Sequence, residues 1–142
     1  MIPSYEEATA ILKTYNKEDF HLQHAKVVSA VMREFAKEYD PENGDYWAVV
    51  GLLHDVDFEQ YPDEHCVKAR EILESHDVDK SIIDSVISHG YGMTGADVEP
   101  VQPMEKILFA IDELTGLIGA CALVRPSKSI MDMEPKSVMK KY

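Results

Sequence analysis

Residues 49–55 read Val49-Val50-Gly51-Leu52-Leu53-His54-Asp55. An apolar run leads directly into an imidazole and a carboxylate. It belongs to a helical pattern that starts near Asp45 and passes through Trp47, Val50 and Leu53, so His54 and Asp55 end a helix. A carboxylate buried without a partner is expensive, and an adjacent His and Asp therefore do not belong to a generic core. Four more side chains of metal-ligating type lie at suggestive places around the pair: His24, His65, His89 and Asp112. Imidazole nitrogen with carboxylate oxygen is a ligand set for a divalent transition metal, and such metals turn bound water into a nucleophile near neutral pH.

Outward from this helix the chain reads as helices throughout. Ser4 and Glu7 form a capping box, and Ala8, Ile11, Leu12 and Tyr15 share one stripe. Asn16 is the expected cap of the next helix, whose apolar positions are Phe20, Ala25, Val28, Val31, Met32, Phe35 and Tyr39. Asp40 to Gly44 is a turn. Pro62 breaks the chain and offers Asp63 as the cap of a helix holding His65 in its first turn, then Ala69, Ile72 and Leu73. Asp79 caps a fifth helix with Ile82, Ile83, Val86 and Ile87 on its apolar face, His89 in its last turn and Gly90 as its stop. The glycine- and proline-rich stretch from Gly90 to Pro103 is a loop, with Pro103 as a first-turn residue of the next helix. That helix carries Ile107, Leu108, Ile111, Leu114, Leu117 and Ile118 and ends at Arg125-Pro126-Ser127; Pro135 opens a last short basic helix, 136–142. The expected architecture is all-α, a single compact multi-helix bundle over 1–142, with 126–142 at its periphery.

At 142 residues the chain suits one domain with its own core. No apolar run approaches the roughly 20 residues that span a bilayer, and residues 1–7 lack the regions of a signal peptide, so the expected location is cytoplasmic. Cys66 and Cys121 are too few for a disulfide framework and read as reduced thiols. The net charge of −12 repels nucleic-acid backbone and anionic membranes, so neither a nucleic-acid duplex nor a membrane is an expected partner. It leaves room for a small phosphorylated ligand, because a metal site and a few basic groups hold phosphate against a negative field.

The ligand candidates come from five helices, and helix bundles build metal sites from inward-facing side chains in this way. Asp112 is the sharpest single residue, since a carboxylate next to Ile111 on the most apolar helix needs a charged partner or a metal. In order and helical context, His24, then Leu52-Leu53-His54-Asp55, then Ala110-Ile111-Asp112-Glu113-Leu114 resemble the HD-domain metal-dependent phosphohydrolases. His65 in 63–69 and His89 in Val86-Ile87-Ser88-His89 resemble the family's additional histidines. The resemblance implies one metal on His24, His54, Asp55 and Asp112. It implies a second on His65 and His89 with Asp55 bridging, and His54 and Asp55 as catalytic residues. One or two divalent transition ions are implied; iron, manganese, zinc, nickel and cobalt all fit. Two departures limit what carries over. His54-Asp55-Val56-Asp57-Phe58 lacks the lysine of the His-Asp-Ile-Gly-Lys form, and His89-Gly90-Tyr91-Gly92 is not the Gly-Tyr-Pro signature of the branch acting on cyclic dinucleotides.

Taken singly, each candidate histidine has a plainer reading: an interhelical hydrogen bond for His24, a surface residue for His65, and a charge at a helix C-terminus for His89. His21 and His76 read as solvated. The carboxylates Asp57 and Glu59 follow the motif and are candidates for protonating a leaving group, with solvated loop residues as the plainer reading. Arg125 and Lys128 are candidates for holding a substrate phosphate. The implied function is hydrolysis of a phosphomonoester or phosphoanhydride of a small metabolite, a nucleotide first among them. The alternative is a non-catalytic metal or nucleotide sensor on the same fold.

Overall fold

The computed structural model describes residues 1–92 and 96–112. Their regular elements are all helical: α1 (Tyr5–Tyr15), α2 (Asp19–Tyr39), α3 (Gly44–Leu53), α4 (Val67–Ser75) and α5 (Lys80–Ser88). A sixth helix, α6, is described over 103–112. Single 3-10 turns, Pro41–Asn43 and Pro62–Glu64, lie before α3 and α4. The all-α class expected from the periodicity is the class these residues adopt. None of these helices is long and apolar enough to cross a membrane.

Several helix starts lie where local chemistry puts them. Ser4 Oγ accepts from Glu7 N at 3.1 Å while the Glu7 carboxylate accepts from Ser4 N at 3.0 Å, a complete capping box. Asp79 accepts from Ser81 N at the start of α5. Pro103 is the first residue of α6, and Glu105 turns back to accept from Val101 N and Gln102 N, both at 3.1 Å.

Two other caps differ from expectation. Asn16 closes α1 instead of opening α2, its amide donating to Leu12 O and Val56 O. The start of α2 is capped from a distance: Glu59 accepts from Lys17 N and Glu18 N at 2.8 and 2.9 Å. Glu59 is thus not a free loop carboxylate; it satisfies donors that a helix start leaves unpaired. Asp63 does not cap α4 either. The chain enters that helix through Cys66 in the left-handed region, φ 70°, with no side-chain cap bond.

The core is organised around α3, which is buried from Trp47 to Leu53, as expected of a helix apolar on all sides. It packs chiefly on α2 and also meets α1 and α5. α2 turns Ala25, Val28, Ser29, Met32 and Ala36 inward. Phe20, Phe35 and Tyr39, expected on that stripe, are exposed. The buried positions 25, 28, 29, 32 and 36 form one face of α2 that approaches α3 closely, and 20, 35 and 39 are not among them. A Cβ at Gly51 would lie 3.0 Å from Ser29 Cα, and Ser29 Oγ donates to Ala48 O at 2.7 Å. Small residues fit this seam and large aromatic ones do not. The seam also sets the separation of His24 on α2 from His54 at the end of α3.

Candidate metal centre

His54 and His89 occupy equivalent local positions. Each is the residue that closes its helix, α3 or α5. Each donates Nδ1–H to a carbonyl of its own last turn: His54 to Gly51 O at 2.6 Å, His89 to Val86 O at 2.5 Å. A carbonyl only accepts, so Nδ1 carries a proton, and when the ring is neutral its lone pair is on the inward Nε2. His65 reaches the same state differently. It lies before α4 and not in its first turn, on the irregular stretch after Pro62–Glu64. Its Nδ1 donates to Asp57 Oδ1 at 2.7 Å. Asp57 is completely buried, and its other oxygen accepts from Ala69 N at 2.9 Å. The expectation of a solvated Asp57 is therefore corrected: it is fixed between the ring of His65 and the backbone of α4.

These Nε2 atoms meet at Asp55. Asp55 Oδ2 lies 3.2 Å from both His24 Nε2 and His54 Nε2. Asp55 Oδ1 lies 3.1 Å from His65 Nε2 and 3.2 Å from His89 Nε2. Asp112 Oδ1 joins the first pair, 3.2 Å from His24 Nε2 and 3.0 Å from His54 Nε2. Within the pairs, Nε2 of His24 and His54 are 3.1 Å apart, and Nε2 of His65 and His89 are 3.2 Å apart. All six residues singled out from the sequence as ligands thus lie in one cluster, with a single carboxylate between its two halves.

The electrostatics of the cluster follow from this geometry. Burial opposes charge on every one of these histidines, yet the carboxylates overcome it. Asp112 and Asp55 raise His24 to about 9; Asp55 and Asp112 raise His54 to about 10. Asp55 and Asp57 raise His65 to about 12, and Asp55 raises His89 to about 9. Burial likewise opposes ionisation of Asp55 and Asp112, and their histidine neighbours hold both below the ordinary carboxylate range nonetheless. Two inward lone pairs about 3 Å apart repel unless a positive charge lies between them. Protons or a divalent cation can fill that role, and the outer Nδ1–H bonds keep each ring in the ligating tautomer. The His/Asp cluster is compatible with metal binding on these grounds, and the sets His24, His54, Asp55, Asp112 and His65, Cys66, His89 each bring ligand atoms within 4.8 Å of one another.

Cys66 lies beside His65 and His89. Its sulfur is 3.9 and 3.8 Å from Nδ1 and Nε2 of His89, beside the ring and not along the Nε2 direction. Burial raises the thiol pKa, but His65 and His89 outweigh it and bring it to about 7. The expected controls also have partners. Tyr15 OH is 3.0 Å from His76 Nε2, and the His21 ring lies between Phe20 and Phe58. Neither ring is simply solvated, because Tyr15 and Phe58 reach them from other parts of the chain. Arg125 and Lys128 lie outside the described residues. The only signal in the sequence for the role of Asp57 in orienting His65 is its place two residues after Asp55.

The family model of the HD domain matches residues 22–117, which include all six candidate ligands. The chain belongs to the HD-domain family, whose members are mostly metal-dependent hydrolases. No curated protein and no solved structure gives a match.

Proposed function

We propose that this chain is a metal-dependent phosphohydrolase that cleaves a phosphomonoester or phosphoanhydride of a small metabolite, a nucleotide in particular. His24, His54, Asp55 and Asp112 would hold one divalent transition ion. His65, His89 and the other oxygen of Asp55 would hold a second. The observation that carries this reading is the division of Asp55, one oxygen toward each histidine pair. Metal ions bound there supply Lewis acidity, which makes water nucleophilic near neutral pH and neutralises charge on a phosphoryl oxygen.

The remaining residues hold that geometry. Gly51 O and Val86 O keep protons on the outer nitrogens of His54 and His89. Asp57 does the same for His65. Leu53 and Val56, both fully buried, flank the His54-Asp55 pair with apolar surface, and a drier surrounding strengthens every charge interaction inside it. Arg125 and Lys128 are proposed to hold the non-reacting part of the substrate, which orients the reacting phosphoryl group. The net charge of −12 supports a small substrate over a nucleic-acid duplex or a membrane. A cytoplasmic protein folded as a single domain over 1–142 is part of this proposal.

The test is metal analysis of the purified chain together with phosphate release from a panel of nucleotides and simple phosphate esters. Bound transition metal and turnover lost on chelation are expected. Bound metal without turnover of any ester would make the chain a sensor, and a metal-free chain that still hydrolyses esters would refute the metal assignment.

A further inference from the structure

Phe58 follows the His54-Asp55 motif by a few residues and is 41% exposed; Phe20, near the start of α2, is 70% exposed. These are large apolar side chains that folding has left in water, against the usual gain from burial. They are not scattered. The Phe20 ring meets His21 edge-on at 5.4 Å, and His21 meets Phe58 at 5.8 Å with the planes inclined by 51°. Phe58 then meets His65 edge-on at 5.0 Å. The row of rings runs from the surface to a candidate ligand of the centre, since His65 Nε2 is 3.1 Å from Asp55 Oδ1. Phe58 therefore lies directly against a residue of the cluster, with the ring of His65 between it and Asp55.

We propose that Phe58, with His21 and Phe20 beside it, is the platform on which the base of a nucleotide stacks while its phosphate lies at the centre. The proposal rests on the phosphohydrolase reading and adds the residues that would hold the base. Three arguments support a planar base over another occupant. Aromatic side chains offer a face to any base without needing base-edge hydrogen bonds. The chain is strongly acidic, and uncharged stacking gives affinity that this field does not oppose. The exposed rings are also continuous with the centre through His65, where a substrate's organic part would emerge.

The experiment uses the full chain as purified and two uncharged probes, adenosine and ribose, followed by proton NMR. Adenosine base protons are expected to shift upfield from the ring current, while ribose is unaffected. Phe58→Ala is expected to weaken adenosine binding about tenfold, within the range of base–aromatic stacking. Phe58→Trp should restore it. In the turnover assay, Phe58→Ala should reduce the preference for adenosine monophosphate over ribose 5-phosphate by a similar factor. Equal shifts for both probes, or unchanged adenosine affinity in Phe58→Ala, would overturn the platform. So would a monomer–dimer equilibrium that depends on Phe58 while adenosine binding does not, since the rings would then belong to a contact with a second copy. Because adenosine carries no phosphate, a chain that stacks it but hydrolyses no ester separates failure of the phosphohydrolase reading from failure of this one.

Discussion

Around Asp55 Oδ2 the donors come from helices or their ends: His24 from α2, His54 from the close of α3 and Asp112 from α6. Around Oδ1 only His89 has that support; His65 lies on an irregular turn and takes its orientation from Asp57. The first half inherits its geometry from the core, through the close α2–α3 seam at Gly51 and Ser29. The second depends on one buried carboxylate that ties a turn to the start of α4. A site built on regular elements is held by many contacts at once, while a turn-borne ligand is only as well placed as its particular partner. The two halves should therefore fail separately.

The largest effect should come where the halves join. Asp55→Ala removes both oxygens, and metal content and turnover are expected to fall to background while circular dichroism stays helical. Metal retained at the wild-type level in that variant would break the shared-carboxylate account.

Acidity should act on the whole centre, with opposite signs for the two states of the chain. In metal-free protein the histidines are raised from 6.5 to about 9 for His24 and His89 and about 10 for His54. Their contribution to stability is complete below the unfolded value and is lost as pH rises through the folded values. The metal-free melting temperature should thus decline between about pH 6.5 and 10. Asp55 and Asp112, shifted downward, contribute above the ordinary carboxylate range and lose that contribution as pH falls through their folded values. Metal-loaded protein should instead gain from alkaline pH and release its metal on acidification, because ligation requires deprotonated imidazole. Thermal melts with and without chelator decide the matter, and parallel pH profiles would contradict it.

Asp57→Asn sharpens the comparison. It should weaken the Oδ1 half by about 10- to 100-fold in metal affinity and leave the Oδ2 half nearly intact. Titration with a coloured or paramagnetic ion resolves the two steps; equal loss at both would show that Asp57 supports the turn as a whole.

Gly51→Ala probes the other half and should have the smallest effect on metal binding. Its new methyl would meet Ser29 backbone at 3.0 Å, and overpacking of this kind costs about 1–3 kcal/mol. Denaturant melts should register that loss, with a weaker Oδ2 half and an unchanged Oδ1 half. An unchanged melt would mean that α2 and α3 part freely.

The sequence by itself determined the helical class, the capping box at Ser4 and Glu7, the start of α5 at Asp79 and of α6 at Pro103, and the six candidate ligands. Those features are local: helical periodicity, cap chemistry and ligand type are properties of a short stretch of chain. Only the tertiary structure decided that Asp55 divides its oxygens between two histidine pairs. It also decided that Asp57 is buried and that Glu59 caps a helix some forty residues away. Phe20, Phe35 and Tyr39 show the same limit, because periodicity marks an apolar stripe but not which of its positions meet another helix. The close approach of Gly51 to Ser29 is likewise a contact between residues far apart in the chain. Which side chains meet across helices depends on packing volumes on both sides of the contact, and no single stretch of sequence contains both sides.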